Sequence, residues 1–344
     1  MIASNYKGRL VTPTGLFLCA IIIAFTASND IYIPFCRFYL DSKYMWVYLG
    51  IFSAVFLGMY DVSRKHAVQR NAVLPVLFLA VVFGAILFLP AIVVSRIDPE
   101  AMIKAGVLIP AVPWVEHLHL FVKAVIVAAS WVCGYFAIKH LPISIVSPIY
   151  VTGPVWTLVG AIILFHEHAT VLQYAGFAVM AISYYIFSVL GSKEGIVFHN
   201  NKWITFALLA TLIGAASGLY DKYLIHTLGY SPVVVQAWFS IYLVPVLGLI
   251  VLLFWLPGRE RYTPFAWRWS IPLIGGFLLV ADFAYFKAIR SEDCLIGILS
   301  MLRCGCVAVS FVGGATMFNE VRMPSKALAL VGLLAGMLLI LLSK

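Results

Sequence analysis

From Met45 to the end of the chain, long apolar runs alternate with brief polar interruptions. Ten runs follow one another, at 46–68, 72–94, 118–138, 142–165, 171–190, 203–227, 232–256, 268–288, 293–318 and 325–343. Each holds about 20 residues, the length an α-helix needs to cross a hydrocarbon core of roughly 30 Å. The punctuation is short, as in Ser63-Arg64-Lys65-His66, His166-Glu167-His168 and Pro257-Gly258-Arg259-Glu260-Arg261. The longest internal connection, from Ser95 to about His117, carries Pro99, Pro110 and Pro113. The pattern predicts an all-α integral membrane protein of ten transmembrane helices, with no soluble domain.

Composition agrees with that class. Of 344 residues 63% are hydrophobic and 11% charged, against about 25% charged in soluble domains. Mean hydropathy is +1.02. The net charge of +9 would suggest nucleic acid in a soluble protein. Here Lys and Arg mostly occupy connections between spans, where topology explains them, so nucleic acid is not an expected partner. The six cysteines lie mostly within apolar runs, show no CxxC spacing and read as small buried hydrophobes.

The chain also lacks HExxH, GxSxG and Walker A sequences, which leaves a zinc protease, an α/β-hydrolase and an ATP-driven pump without support. His117 and His119 diverge on a helix at i, i+2 and read as an interfacial polar cluster. No metal and no cofactor are expected.

Residues 1–44 form an N-terminal extension of a different kind. Leu16 to Ala27 is apolar but short and follows Lys7 and Arg9. It reads equally as a signal-like segment, an extra span, or sequence upstream of a start at Met45.

The core repeats itself. Gly58-Met59-Tyr60-Asp61 returns 160 residues later as Gly218-Leu219-Tyr220-Asp221. Tyr135-Phe136-Ala137-Ile138-Lys139 resembles Tyr285-Phe286-Lys287-Ala288-Ile289-Arg290, and Phe165-His166-Glu167 resembles Phe318-Asn319-Glu320. Ordered correspondence of this kind marks a duplication, with repeats at 45–190 and 203–344. Five spans is an odd number, so the halves enter the membrane in opposite directions. That is the inverted repeat of secondary transporters, whose sites lie at the repeat interface.

Residues 141–167, LPISIVSPIYVTGPVWTLVGAIILFHE, carry Pro154 thirteen positions before Glu167, and Gly176 follows nine positions later. In these features the chain resembles the drug/metabolite transporter superfamily in its EamA branch. The second half matches less closely: Glu320 and Gly336 fit, while Val307 and Ala329 replace the proline and the first glycine. The resemblance covers 45–344 and implies a ten-helix bundle with a central cavity and the fifth and tenth helices at its periphery. It does not imply one substrate, since relatives carry amino acids, drugs, nucleotide sugars and other metabolites.

Several residues stand out as pathway candidates. A carboxylate near the bilayer centre costs about 2.5–3.5 kcal/mol on insertion scales and persists facing a cavity or a partner. Tyr60, Asp61, Tyr220 and Asp221 therefore read as one gate at each membrane face, against the alternative of solvated helix ends. Asp282 and Arg303 lack counterparts in the first half. They read either as an ion pair or as the place of substrate choice, with Arg303 a fork for an oxyanion and Asp282 a proton site. Pro148 and Pro154 free backbone carbonyls within a span and read as pathway elements or kinks. Glu167 and Glu320 are family-motif helix ends with a structural reading, and Lys287 and Arg290 snorkel to the interface.

The leading expectation is a secondary transporter of a small metabolite or amphipathic compound, working by alternating access with proton coupling or exchange. The competing reading is a membrane-embedded enzyme acting on a lipid or lipid-linked group, and a passive channel is a third. The expected partners are a small-molecule substrate, membrane lipid and protons, with a homodimer left open. The expected place is the cell (inner) membrane, multi-pass. Lys and Arg outnumber on the side that carries Arg64, Lys65, Arg70, Arg259, Arg261 and Arg268, so the positive-inside rule puts that side in the cytoplasm.

Overall fold

A computed structural model describes residues 45–104, 106–140, 149–150, 152–190, 202–261, 263–309 and 323–342. Every regular element among them is helical. Helix α1 spans Met45–Val68, α2 Val73–Ile97, the short α3 Pro99–Lys104, α4 Trp114–His140, α5 Gly153–Phe165 and α6 Val171–Leu190. In the second half α7 spans Lys202–Lys222, α8 Pro232–Ile250, α9 Ser270–Ile289, α10 Ile296–Arg303 and α11 Met323–Leu342.

Only helices close every backbone hydrogen bond within one segment, which is what lipid demands of an open-ended chain. Among the described residues, six helices are long and apolar enough to cross a membrane: Met45–Val68, Val73–Ile97, Trp114–Ala137, Lys202–Thr227, Pro232–Arg259 and Ser270–Ile289. Four shorter apolar helices accompany them, at Gly153–Phe165, Val171–Ile186, Ile296–Val309 and Val331–Leu342. The predicted runs 142–165 and 293–318 lie partly outside the described residues. Of the run 142–165 a continuous helix is described only from Gly153, and in 293–318 a turn at Cys304-Gly305 interrupts the helix.

Two helices end in wide π-turns, α7 through Tyr223–Thr227 and α8 through Val251–Trp255. The first follows directly on Asp221 and Lys222, and such turns occur often at functional sites. It closes where Tyr230 N–H reaches Leu224 O at 3.0 Å, across Gly229 in the left-handed region at φ +75°.

The helices associate in antiparallel pairs, recognisable because rising numbers on one meet falling numbers on the other. On α1 and α9, Ser53 Oγ donates to Ala281 O at 2.7 Å and His66 Nδ1 meets Ser270 Oγ at 3.0 Å. On α4 and α7, Ser130 Oγ donates to Ala210 O at 2.8 Å, and Phe136 sits against Trp203 and Phe206. Helix α6 likewise lies along α11, α2 along α8, and α5 along α10. Further contacts join α1 to α10, α7 to α5, α9 to α2, and α4 to α8.

The outer surface is apolar. Leu87 and Val93 on α2, Ile163 and Leu164 on α5, and Leu252, Leu253 and Phe254 at the end of α8 are all exposed. A soluble protein would bury so much hydrocarbon, whereas here it faces the lipid. Ser53, Lys123, Thr157, Thr211, Asp221 and Lys222 are instead buried among the helices.

Candidate functional site

A cavity of about 470 Å³ opens between the two halves of the chain. Helices α1, α4, α5 and α6 line it from the first half, and α7, α8, α9 and α10 from the second. Its walls mix rings, such as Trp131, Tyr135, Tyr184 and Phe286, with the hydroxyls of Ser130, Thr157, Thr211 and Ser300. Six charged side chains reach it as three pairs.

Asp61 and Arg64 form the first pair, one helical turn apart on α1 at 2.9 Å. Arg64 Nη1 also donates to Tyr60 Oη at 3.4 Å, and the guanidinium lies over the rings of Tyr60 and Tyr135. Cys306 Sγ donates to Asp61 Oδ2 at 3.7 Å. This pair is the more open one, with Arg64 32% and Asp61 27% exposed.

Asp221 and Lys123 form the second. The carboxylate comes from α7 and the ammonium from α4, at 6% and 2% exposure. Lys123 Nζ also sits 4.4 Å from the Phe239 ring centre and 4.9 Å from that of Phe286, where cation–π attraction offsets part of its lost hydration. Twelve residues of α4 separate Lys123 from Tyr135, which at about 1.5 Å per residue sets the two pairs roughly 18 Å apart along that helix. The cavity therefore has a more open end at Arg64 and Tyr135 and a tight end at Lys123.

The third pair belongs to the second half alone. Arg303 Nη2 donates to Asp282 Oδ1 at 2.7 Å, and the guanidinium lies over the Tyr285 ring at 4.2 Å. Arg303 Nε is buried with no hydrogen-bond partner. Asp282 and Asp221 are near enough to act on one another electrostatically, so both carboxylates and both cations form one charge cluster.

A fourth pair lies outside the cavity, behind its tight end. Lys222 meets Glu167 with both side chains 6% exposed. Lys222 Nζ also donates to Cys294 O at 2.8 Å, and Ile296 N–H donates to Glu167 Oε1 at 3.0 Å. One ion pair thus ties the end of α7, the turn after α5 and the connection from α9 to α10. Glu167 Oε2 is buried without a hydrogen-bond partner.

Of the residues singled out in sequence, Tyr60, Asp61, Pro154, Asp221, Asp282 and Arg303 line the cavity. Tyr220 does not. Its hydroxyl donates to His119 O at 3.3 Å, and its ring stacks near Tyr223. The repeated Tyr-Asp sequence therefore occupies two unlike surroundings, because Asp61 finds its cation on its own helix whereas Asp221 has Leu224 at i+3 and takes Lys123 from a neighbour. Glu167, read in sequence as a structural helix end, is a buried ion-pair member. Pro148 and Glu320 lie outside the described residues.

Lys123, Arg64 and Lys222 are not among the pathway candidates named from sequence. Each sits inside a helix against a carboxylate. Lys123 could have been found, since an ionisable residue inside an apolar run is a functional candidate by default. His117 and His119 reach separate hydroxyls, those of Tyr242 and Tyr230, both at 2.8 Å.

Residues 44–189 match the model of the EamA-like transporter family. No match to a curated protein is found. A solved structure, titled only "Crystal structure of protein", superposes with a TM-score of 0.63 at 17% identity. The alignment covers 88% of this chain and 98% of that one, a likeness of fold alone. Over residues 44–189 this multi-pass membrane protein is thus similar to the EamA-like transporter family, a likeness consistent with the drug/metabolite transporter type.

Proposed function

We propose that the protein is a secondary transporter that carries a small organic metabolite through the central cavity by alternating access. The observation that supports this most is the cavity itself. Charged side chains converge there from both halves of an otherwise apolar helical chain, and intramembrane charge at such a cost accompanies a substrate or ion path.

The contact pattern supports the further reading of 45–190 and 203–344 as inverted five-helix repeats. Exchange α1 to α6, α3 excepted, for α7 to α11. The pair α1 with α9 becomes α7 with α4, α1 with α10 becomes α7 with α5, and α9 with α2 becomes α4 with α8. The pairs α6 with α11, α2 with α8 and α5 with α10 map onto themselves. Two such units around one site can rock to expose it to either side in turn. Energy comes from a proton gradient or from exchange, and the cell membrane is the proposed location.

The reading is tested by reconstituting the protein in liposomes and offering a mixture of labelled small metabolites. Saturable accumulation of some of them, lost in Arg303→Gln, is the expected result. Flux that never saturates would mean a channel, and no flux with chemical change of a lipid would mean an enzyme.

A further inference from the structure

The Asp282–Arg303 pair carries a more specific inference, which rests on the transporter reading above. Its two members differ in one chemical respect. A guanidinium stays charged at any pH a protein meets, whereas a carboxylate can neutralise itself by taking a proton. Any substrate that breaks the pair leaves one member behind in a largely dehydrated place, where an unpaired charge is strongly disfavoured.

A cationic substrate that captured Asp282 would strand Arg303, which cannot shed its charge. An anionic substrate that captured Arg303 would strand Asp282, which can. Arg303 is also equipped for the exchange. A guanidinium has five N–H donors; Arg303 spends one hydrogen bond on Asp282, and its Nε–H has no acceptor. Lys123 is no rival receptor, being 2% exposed and held by Asp221. Arg64 is engaged by Asp61 and Tyr60 at the other end.

We propose that Arg303 binds the carboxylate of an organic monoanion and that Asp282, displaced from it, takes up one proton, so that anion and proton enter the site together. The step balances in charge: an ionised Asp282 paired with Arg303, plus a carboxylate and a proton, becomes a protonated Asp282 beside a carboxylate paired with Arg303. One proton matches one negative charge, which favours a monoanion over a phosphate dianion. The aromatic walls at Trp131, Phe239, Tyr285 and Phe286 suit an apolar or aromatic body.

The charged and titratable groups around Asp282 come from several helices. Helix α7 presents Asp221, a second negative charge, with Lys123 of α4 bound to it. Helix α9 adds Tyr285 one turn on, α10 adds Arg303, and Cys304 and Cys306 follow α10 in the chain. Helix α1 brings Asp61 and Arg64 paired with one another. Helix α8 contains no charged residue, and the one in α2, Arg96, lies in its last turn.

The test is calorimetric titration of the purified protein at pH 6 with phenylacetate, indole-3-acetate, octanoate and lactate, each in two buffers of different ionisation heat. Phenylacetamide and phenethylamine serve as controls. Binding is measured because such acids cross lipid unaided when protonated. At least one carboxylate binds, with close to one proton taken up per molecule, while the amide and amine bind at least tenfold more weakly. Asp282→Asn keeps binding and loses the proton uptake, and Arg303→Gln weakens binding at least tenfold.

Preferential binding of the amine, carboxylate binding without proton uptake, or failure of all four acids would overturn the proposal. Saturable uptake of other metabolites into liposomes would then still stand for the transporter reading. Proton-linked binding with no transport of any solute would count against that reading instead.

Discussion

Gly176 on α6 and Gly336 on α11 meet backbone to backbone, and a Cβ added to either would lie 2.8 Å from the carbonyl oxygen of the other. The contact is reciprocal, so the two backbones meet at a single crossing.

Gly176→Ala and Gly336→Ala therefore each force the same two helices apart. Each should cost about 1–3 kcal/mol, the range for overpacking a close contact. The double variant should cost less than the sum, because one separation accommodates both methyl groups. Thermal unfolding in detergent measures all three, and strict additivity would mean that the two glycines meet different neighbours.

Lys123 and Asp221 should be far more costly to break than to replace. Asp221→Asn or Lys123→Met leaves one buried charge alone and should destabilise by about 3–5 kcal/mol. Lys123→Met together with Asp221→Leu removes both charges and should recover most of that loss. A double variant as unstable as the worse single one would mean that the pair does more than neutralise itself.

Asp61 should behave differently although its local sequence is the same. Its pair with Arg64 is about one-third exposed to the cavity, so Asp61→Asn should cost about 1 kcal/mol or less. Melting the Asp61→Asn and Asp221→Asn proteins side by side checks the contrast. Equal losses would place both aspartates in equivalent surroundings.

Tyr60 and Tyr220 should also part company. Tyr60→Phe removes a hydroxyl bonded to Arg64 at the cavity wall, and transport should fall several-fold. Tyr220→Phe removes a 3.3 Å bond to the His119 carbonyl outside the cavity, and should leave transport near the wild-type rate. Initial rates of uptake into liposomes distinguish them.

Particular residues show why some of this could be read from sequence. Asp282 and Arg303 stood out because charge in the middle of an apolar run has few explanations, and the two meet within 2.7 Å. Helix starts such as Val171 and Pro232 were legible because hydropathy falls sharply at a membrane boundary. Lys123 was not, because it lies near one end of its run, where a lysine that snorkels to water and one that turns inward look the same. Tyr220 was misplaced for the opposite reason, since its motif is identical to that of Tyr60. What separates them is a residue elsewhere: Arg64 follows Asp61 by one turn, whereas Asp221 must borrow a cation from α4.

The central claim is that the cavity faces each side of the membrane in turn, and the Lys222–Glu167 pair offers a handle on it. Behind the tight end, Leu120, Leu224, Ile225 and Ile296 are fully buried, and Leu57 lines the cavity toward the open one. The sequence places Val62 at the position equivalent to Lys222, so this tie belongs to one end. Glu167→Gln keeps an oxygen for the Ile296 amide and removes the charge that holds Lys222. The decisive measurement is the rate at which a water-soluble maleimide modifies Leu120→Cys and Leu57→Cys, each in a cysteine-free protein in nanodiscs, with and without Glu167→Gln. Alternating access requires opposite changes, with labelling at 120 rising as labelling at 57 falls. Rates that rise together, or that stay fixed at both positions, would contradict it.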